Sequence, residues 1–146
     1  AAPLSAAAGI AVLKQVAGGG PVERANAMAD RLRNQWNRIL DQLGIAGYAY
    51  GPCSTFHVYF ETDPIRLRNA STRDDLYTTD AARLKSMPPE LVVEYQRQLR
   101  QHGVDVMSFT GGVVSAAHTE ADIDQACEAF KQTMLALCDQ QLVVTM

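Results

Sequence analysis

The chain reads as a layered α/β (α+β) fold, a short sheet covered by helices, and three segments carry that expectation. Val22, Ala25, Ala29, Leu32, Trp36, Ile39 and Leu43 recur every three or four residues, the stripe of a helix that buries one face. Phe56, Val58 and Phe60 alternate with His57 and Tyr59, the period of a strand with one apolar and one amphipathic face. Finally, Phe109-Thr110-Gly111-Gly112-Val113-Val114 reads as a glycine-kinked strand that feeds a densely written helix start, Ser115 to Asp124. There Thr119 is the N-cap, Asp122 stands at the capping-box position, and Glu120, Asp122 and Asp124 place negative charge at the positive end of the helix dipole. Strand ends that lead into helix N-termini are where α/β proteins place ligands, so function is sought near this junction.

The other elements follow in order. Ala2 to Val16 is rich in helix formers, and Gly18-Gly19-Gly20 stops it. A phosphate-cradling role for those glycines lacks a preceding strand and a following Lys-Ser/Thr. Pro21 opens the next helix where its missing N–H costs nothing, and Gly44 closes it. A coiled coil would also fit the Val22–Leu43 spacing, but three heptads with small seam residues favour a core helix lying on a sheet. Tyr48 to Gly51 and Thr55 to Phe60 are expected as strands separated by Gly51-Pro52. Glu61 to Pro88 shows no period and is expected as a long surface excursion with a short helix near Thr79 to Ser86. Pro89 to Gln101 is a helix with Leu91, Val92, Tyr95 and Leu99 facing inward and Gly103 as its stop. Val104 to Phe109 is expected as a strand, with Gly112 to Ser115 as its continuation or neighbour. The last helix runs from Glu120 to Asp139 and buries Ile123, Cys127, Phe130, Met134 and Leu137.

Composition narrows the function classes. At 146 residues the chain suits a single domain, expected to bury roughly two-thirds of the surface its unfolded form exposes. A net charge of −3 with a pI near 5.5 argues against a nucleic-acid partner, and no apolar run is long enough for a membrane span. Three cysteines make no framework. Cys127 and Cys138 share a helix face but lie roughly 16 Å apart along its axis, so reduced thiols and a cytoplasmic location are expected. Asn69-Ala70-Ser71 matches a glycosylation sequon that is expected to be silent without a secretory signal. The opening segment lacks the basic n-region of a signal peptide and a starting Met, as though the chain begins in the middle of something.

Chemistry-bearing residues are sparse. His57, His102 and His118 have no partners at metal-ligand spacing, so no metal is expected. His118 follows Ser115 by three residues, but without a nucleophile elbow it is expected to bond backbone at the junction. His102 sits in the last turn of its helix, where a cation suits the dipole. Asp74-Asp75 is expected to be a solvated pair. Lys14, Lys85 and Lys131 sit among polar neighbours, without the desolvation a Schiff-base lysine needs. No set of residues in the chain makes a self-sufficient active site, and no catalytic or cofactor-binding residue is assigned to it.

Four segments in order carry a family likeness. Ala2-Pro3-Leu4-Ser5-Ala6-Ala7-Ala8-Gly9-Ile10-Ala11 resembles the Asn-Pro-Leu-Ala-Ala-Ala-Ala-Gly helix of class III pyridoxal-phosphate (PLP) dependent aminotransferases. Val22-Glu23-Arg24-Ala25-Asn26 with Arg31-Leu32 resembles the helix that follows, and Gly51 to Phe60 resembles the family's glycine-led strand segment. Gly103-Val104 and Gly112-Val113-Val114-Ser115-Ala116-Ala117-His118-Thr119, with Asp122-Ile123-Asp124, resembles its closing Gly-Phe-x-Ser-Ala-Ala-His-Thr-x-x-Asp-Ile-Asp. The likeness covers nearly the whole chain and is nearest to the glutamate-1-semialdehyde 2,1-aminomutase-like subgroup.

The resemblance implies a C-terminal small domain with a short, mostly antiparallel sheet. Residues 1–17 would form a connecting helix and 21–146 the sheet-and-helix layer. It also implies a parent enzyme in which PLP, its lysine, the aspartate on the pyridine nitrogen and the phosphate loop belong to a missing N-terminal PLP-binding region, so that no cofactor binds this chain alone. The parent would be a cytoplasmic homodimer acting on amino-acid or semialdehyde substrates. Where many family members carry a carboxylate-binding Arg before the last helix, this chain has Phe109-Thr110-Gly111-Gly112. Where the aminomutase-like subgroup often reads Phe-Glu-Ala-Gly-Phe, Thr110 replaces the acid and Val113 the aromatic. Phe109, Thr110 and Gly111 are the expected substrate-facing residues, with Thr110 offering a hydroxyl in place of a charge. The alternative is a non-catalytic binding or dimerisation module that uses the Val22–Leu43 helix and the Glu61–Pro88 excursion as its interface.

Overall fold

A computed structural model describes residues 2–107 and 109–146. Helix α1 (Pro3–Val16) starts on Pro3 and buries none of its residues; Leu4, Ile10, Val12 and Leu13 are exposed. Gly19, at φ 80°, turns the chain into α2 (Gly20–Leu43), and Gly44 closes it in the left-handed conformation at φ 66°. The stripe is placed as expected at Ala25, Ala29, Leu32 and Trp36, but Leu40 is the buried residue of the last turns, with Ile39 and Leu43 only half-buried. Val22, in the first turn, is exposed.

Strands β1 (Gly47–Tyr50), β2 (Thr55–Phe60) and β3 (Gly111–Val113) form one antiparallel sheet in the order β1-β2-β3. Tyr48 pairs with Tyr59 and Tyr50 with His57, so these four rings share one face. Phe56, Val58 and Phe60 point the other way, onto α2, α5 (Pro89–Gln101) and α6 (Glu120–Asp139). Trp36 is fully buried there, stacked on Phe130 at 4.2 Å and edge-on to Phe56 at 5.2 Å, while Tyr95 meets Phe60 at 5.8 Å. Beyond the last helix the chain returns to the sheet's lead: Ala46 donates to Val144 O and Ile45 bridges Thr145. No described helix is long and apolar enough to cross a membrane.

Two expectations are corrected. The strand expected over Val104–Phe109 is irregular chain at its described positions, Ser108 lying outside them. Val106 is still buried in the core, so the apolar spacing reports burial without a ladder. The physical reason is that the residues just downstream, Gly111–Val113 and the Thr110 carbonyl, which accepts from Val58 N, take the β2 edge in its place. The excursion from Glu61 to Pro88 holds three short helical pieces instead of one: α3 (Pro64–Asn69), a 3₁₀ turn (Arg73–Leu76) and α4 (Ala81–Leu84). Asp63 and Asp80 cap the two helices, and Asp75, expected to be merely solvated, closes a capping box with Thr72. Leu76 and Met87 anchor the segment apolarly. Buried Glu61 receives Arg66 at 2.8 Å, and Arg73 pairs with Asp41 of α2 at 3.0 Å. The excursion therefore covers the tyrosine face of the sheet: Tyr77 lies 5.2 Å from Tyr48, whose hydroxyl bonds both backbone groups of Thr78.

Helices α5 and α6 are also tied by Glu94, which accepts from Arg97, Gln98 and, across the helices, Gln140. The Arg97 guanidinium and the two amides hold its carboxyl down at about 2. Its folded pKa lies below the unfolded value of 4.5, so the unfolded chain takes up the proton first as pH falls. The stability from this group is present above pH 4.5 and is lost between there and about 2. A Glu94→Gln variant should flatten that part of the curve of urea midpoint against pH; a curve identical to the parent's would show that the cross-helix tie contributes nothing.

Candidate functional site

Two places near the strand–helix junction could carry chemistry. The first is the junction itself. Thr119 Oγ1 accepts from Asp122 N at 3.3 Å, and Asp122 accepts from Thr119 N at 2.7 Å, which is the expected capping box. Those bonds hold the Asp122 carboxyl below the usual carboxylate range. Ser115 N donates to His118 Nδ1 at 3.0 Å, so the imidazole serves the backbone as expected. Arg31 of α2 bridges Glu120 at 3.1 Å and Asp124 at 2.8 Å. The positive end of α6 is thereby covered by the chain's own carboxylates, which Arg31 clamps from within the fold, and the hollow beside it holds only about 120 Å³. It is a structural joint.

The second place is a cleft of about 510 Å³ on the opposite, tyrosine-bearing face of the sheet, lined by Tyr50, His57, Ala81, Leu84, Lys85 and Phe109. Tyr50 and His57 are register partners with ring centroids 5.7 Å apart and planes tilted by 31°. Burial pushes the His57 imidazole below its usual range, favouring the uncharged ring, and raises the Tyr50 phenol. The third ring comes from the turn before β3. Phe109 has φ 53°, a left-handed conformation that costs a non-glycine residue roughly 1–2 kcal/mol. Gln96 of α5 holds it there by donating to its carbonyl at 2.6 Å. Helix α4 supplies the remaining wall.

The three residues expected to face substrate are adjacent but do different things. Phe109 borders the cleft. Thr110 is buried, and its hydroxyl donates to Val58 O at 2.6 Å while its carbonyl accepts from Val58 N. Its proton is committed to the sheet. Thr110→Val, which keeps the shape and removes the donor, should cost about 1–2 kcal/mol in a urea titration; an unchanged midpoint would mean that the Val58 carbonyl is satisfied without it. Gly111 packs against the His57 ring and the Phe56 carbonyl, with no room for a side chain.

Tyr50, His57, Leu84 and Lys85 were not legible as a site. The Tyr50–His57 pair needs the strand register, and the α4 wall needs the excursion to fold back. Lys85, expected among polar neighbours, borders this apolar cleft instead. The described residues do not fit a bound PLP. Lys14, Lys85 and Lys131 are all exposed, and no carboxylate lines the cleft to pair with a pyridine nitrogen. Among the described residues there is no group of three His, Cys, Asp or Glu side chains placed to hold a metal.

The fold is that of the C-terminal region of a PLP-dependent transaminase. The structure is similar to that of an omega-transaminase from Sphaerobacter thermophilus, with a TM-score of 0.57 and 18% identity over 78% of this chain and 24% of that one. It is also similar to a transaminase with PLP bound, with a TM-score of 0.60 and 15% identity over 82% of this chain and 24% of that one. In sequence the chain is similar to the glutamate-1-semialdehyde 2,1-aminomutase of Methanopyrus kandleri, 28% identical over 134 residues that make up 90% of this chain and 28% of that protein. No family model matches. The chain spans about a quarter of the length of these relatives, and the likeness read from the sequence meets the aminomutase in the sequence comparison and transaminases in the structural one.

Proposed function

We propose that this chain serves as the C-terminal region of a PLP-dependent aminotransferase or aminomutase, closing over an amino-acid-like substrate with the Phe109–Gly111 turn. The observation that carries the reading is the joint likeness in sequence and fold, which runs over most of this chain and about a quarter of each relative. PLP, when bound, supplies an electron sink for nitrogen transfer. The residues of this chain contribute shape. Phe109 presents its ring, Thr110 and Gly111 fix the turn against β2, and Gln96 holds its strained backbone. The reacting lysine comes from outside these residues. A homodimer and a cytoplasmic location belong to the same reading, the latter supported by three cysteines that are all free.

Of the alternative interface, the apolar stripe of α2 (Leu32, Trp36 and Leu40) is spent in the core, which leaves the Glu61–Pro88 excursion, with Ile65 and Tyr77 exposed, as its surface. Two measurements test the proposal. Reading the gene upstream of Ala1 should show a strand–lysine–glycine segment with a phosphate loop. Borohydride reduction of the longer protein with PLP should leave the pyridoxyl group on that upstream lysine. Trapping on Lys14, Lys85 or Lys131 would overturn the assignment.

A further inference from the structure

We infer that the cleft between the Tyr50–His57 pair, Phe109 and α4 binds a flat apolar body carrying one carboxylate, its ring seated among the three aromatic side chains and its charge on Lys85. The inference deepens the proposed function by naming the substrate class of the Phe109 turn. It rests on that reading for the cleft's place in a reaction, but the binding itself is a property of these residues alone.

Size comes first. A cleft of about 510 Å³ falls within the range of small-molecule sites and would take a single-ring compound with a short side chain. Its walls are Tyr50, His57, Phe109, Leu84 and Ala81, three rings and two aliphatic groups contributed by two strands, a turn and a helix. Offset and edge-on contacts with such rings favour a flat partner over a branched aliphatic one.

Charge decides the rest. Lys85 is the one charged side chain of the lining. Three arginines of the excursion are paired with carboxylates, Arg66 with Glu61, Arg73 with Asp41 and Arg83 with Asp63, while Arg68 donates to the Pro64 carbonyl and does not line the cleft. Lys85 has no carboxylate partner among the described residues. It stands at the end of α4 and is exposed, while Tyr50, His57 and Phe109 are half-buried. An anion is therefore matched by charge at Lys85 alone. Lys85 is the lining's only lysine or arginine, so the second charge of a dicarboxylate would have at best the Tyr50 hydroxyl or the His57 ring to bond and no fixed counter-charge. An ammonium group would meet Lys85 with like charge. A monocarboxylate with an aromatic body satisfies the rings and Lys85 together.

The test is a titration of the isotopically labelled chain with 3-phenylpropionate, followed by NMR of the His57 and Phe109 ring resonances. Saturable shifts of those rings are expected, with a Kd on the order of 1 mM for a ligand of this size. Lys85→Gln, a change of an exposed residue, should weaken the acid about tenfold and leave 3-phenylpropanol unaffected. Phe109→Leu should weaken both. Glutarate and benzylamine should bind at least tenfold more weakly than 3-phenylpropionate. The inference is overturned if glutarate or benzylamine binds as tightly, if Lys85→Gln leaves the acid's affinity unchanged, or if no saturable shift of His57 and Phe109 occurs. Because no cofactor enters this experiment, its failure leaves the upstream lysine test untouched, and failure of that test leaves a measured binding cleft in place.

Discussion

Gly111→Ala should destabilise the domain by about 3 kcal/mol, the upper end of what an overpacked core site usually costs, because backbone stands in the way. A Cβ at this position would lie 2.2 Å from His57 Nδ1 and 2.3 Å from the Phe56 carbonyl oxygen. The ring could rotate away, but the carbonyl belongs to β2 and cannot move without opening the β2–β3 pairing. The requirement is steric rather than conformational, since Gly111 does not occupy the left-handed region. Gly112 is the internal control. Its added Cβ would meet the tip of the Phe56 ring at 2.9 Å but no backbone atom nearer than 3.9 Å, so Gly112→Ala should be milder. Urea midpoints of the two variants decide the matter, and the amide resonances of His57 and Val113 report whether the strands have parted. Equal midpoints for Gly111→Ala and the parent would mean that β3 is not seated against β2 as described. The same substitution displaces His57 and should abolish any ligand shift in the cleft.

Trp36→Ala is expected to cost about 3–5 kcal/mol, the usual penalty for removing a large aromatic from a closed core. Trp36 is fully buried between Phe130 and Phe56, one stacked and one edge-on. Its removal withdraws contact from α2, β2 and α6 together, the three elements that the stripe on α2 joins. The surrounding rings are held by their own helices and strand, so the cavity can close only in part. Trp36→Phe retains a stacking partner for Phe130 and should recover a large share of the loss. Because Trp36 is the single tryptophan, unfolding is followed by circular dichroism rather than fluorescence. A fall of under about 1 kcal/mol for Trp36→Ala would show that the layer collapses freely around it.

The helices were legible because their signals are local. The Thr119–Asp122 box, the Pro89 start, the Gly44 and Gly103 stops and the buried stripes all sit within a few residues of what they control. His118 was legible for the same reason, since its partner Ser115 is three residues away. The misreadings share an opposite cause. Val104–Phe109 has strand-like spacing, but whether a segment joins a sheet depends on whether an edge is free, and β3 occupies that edge. The excursion lacks a period because arginine pairs, capping aspartates and two anchors, Leu76 and Met87, hold it in place of a stripe. Thr110 looked like a hydroxyl available to substrate until the fold set Val58 O opposite it.

By itself, then, the sequence determined the helices, their caps, the two-faced β2 strand and the likeness to the C-terminal region of a PLP-dependent transaminase, because each is written in short-range spacing or in ordered motifs. Only the tertiary structure decided where a ligand could sit. It paired Tyr50 with His57, folded α4 over them, turned Thr110 inward and Phe109 outward, and left Lys85 as the cleft's charge. Those residues span positions 50 to 109, and their meeting is a matter of long-range contact, which no local pattern encodes.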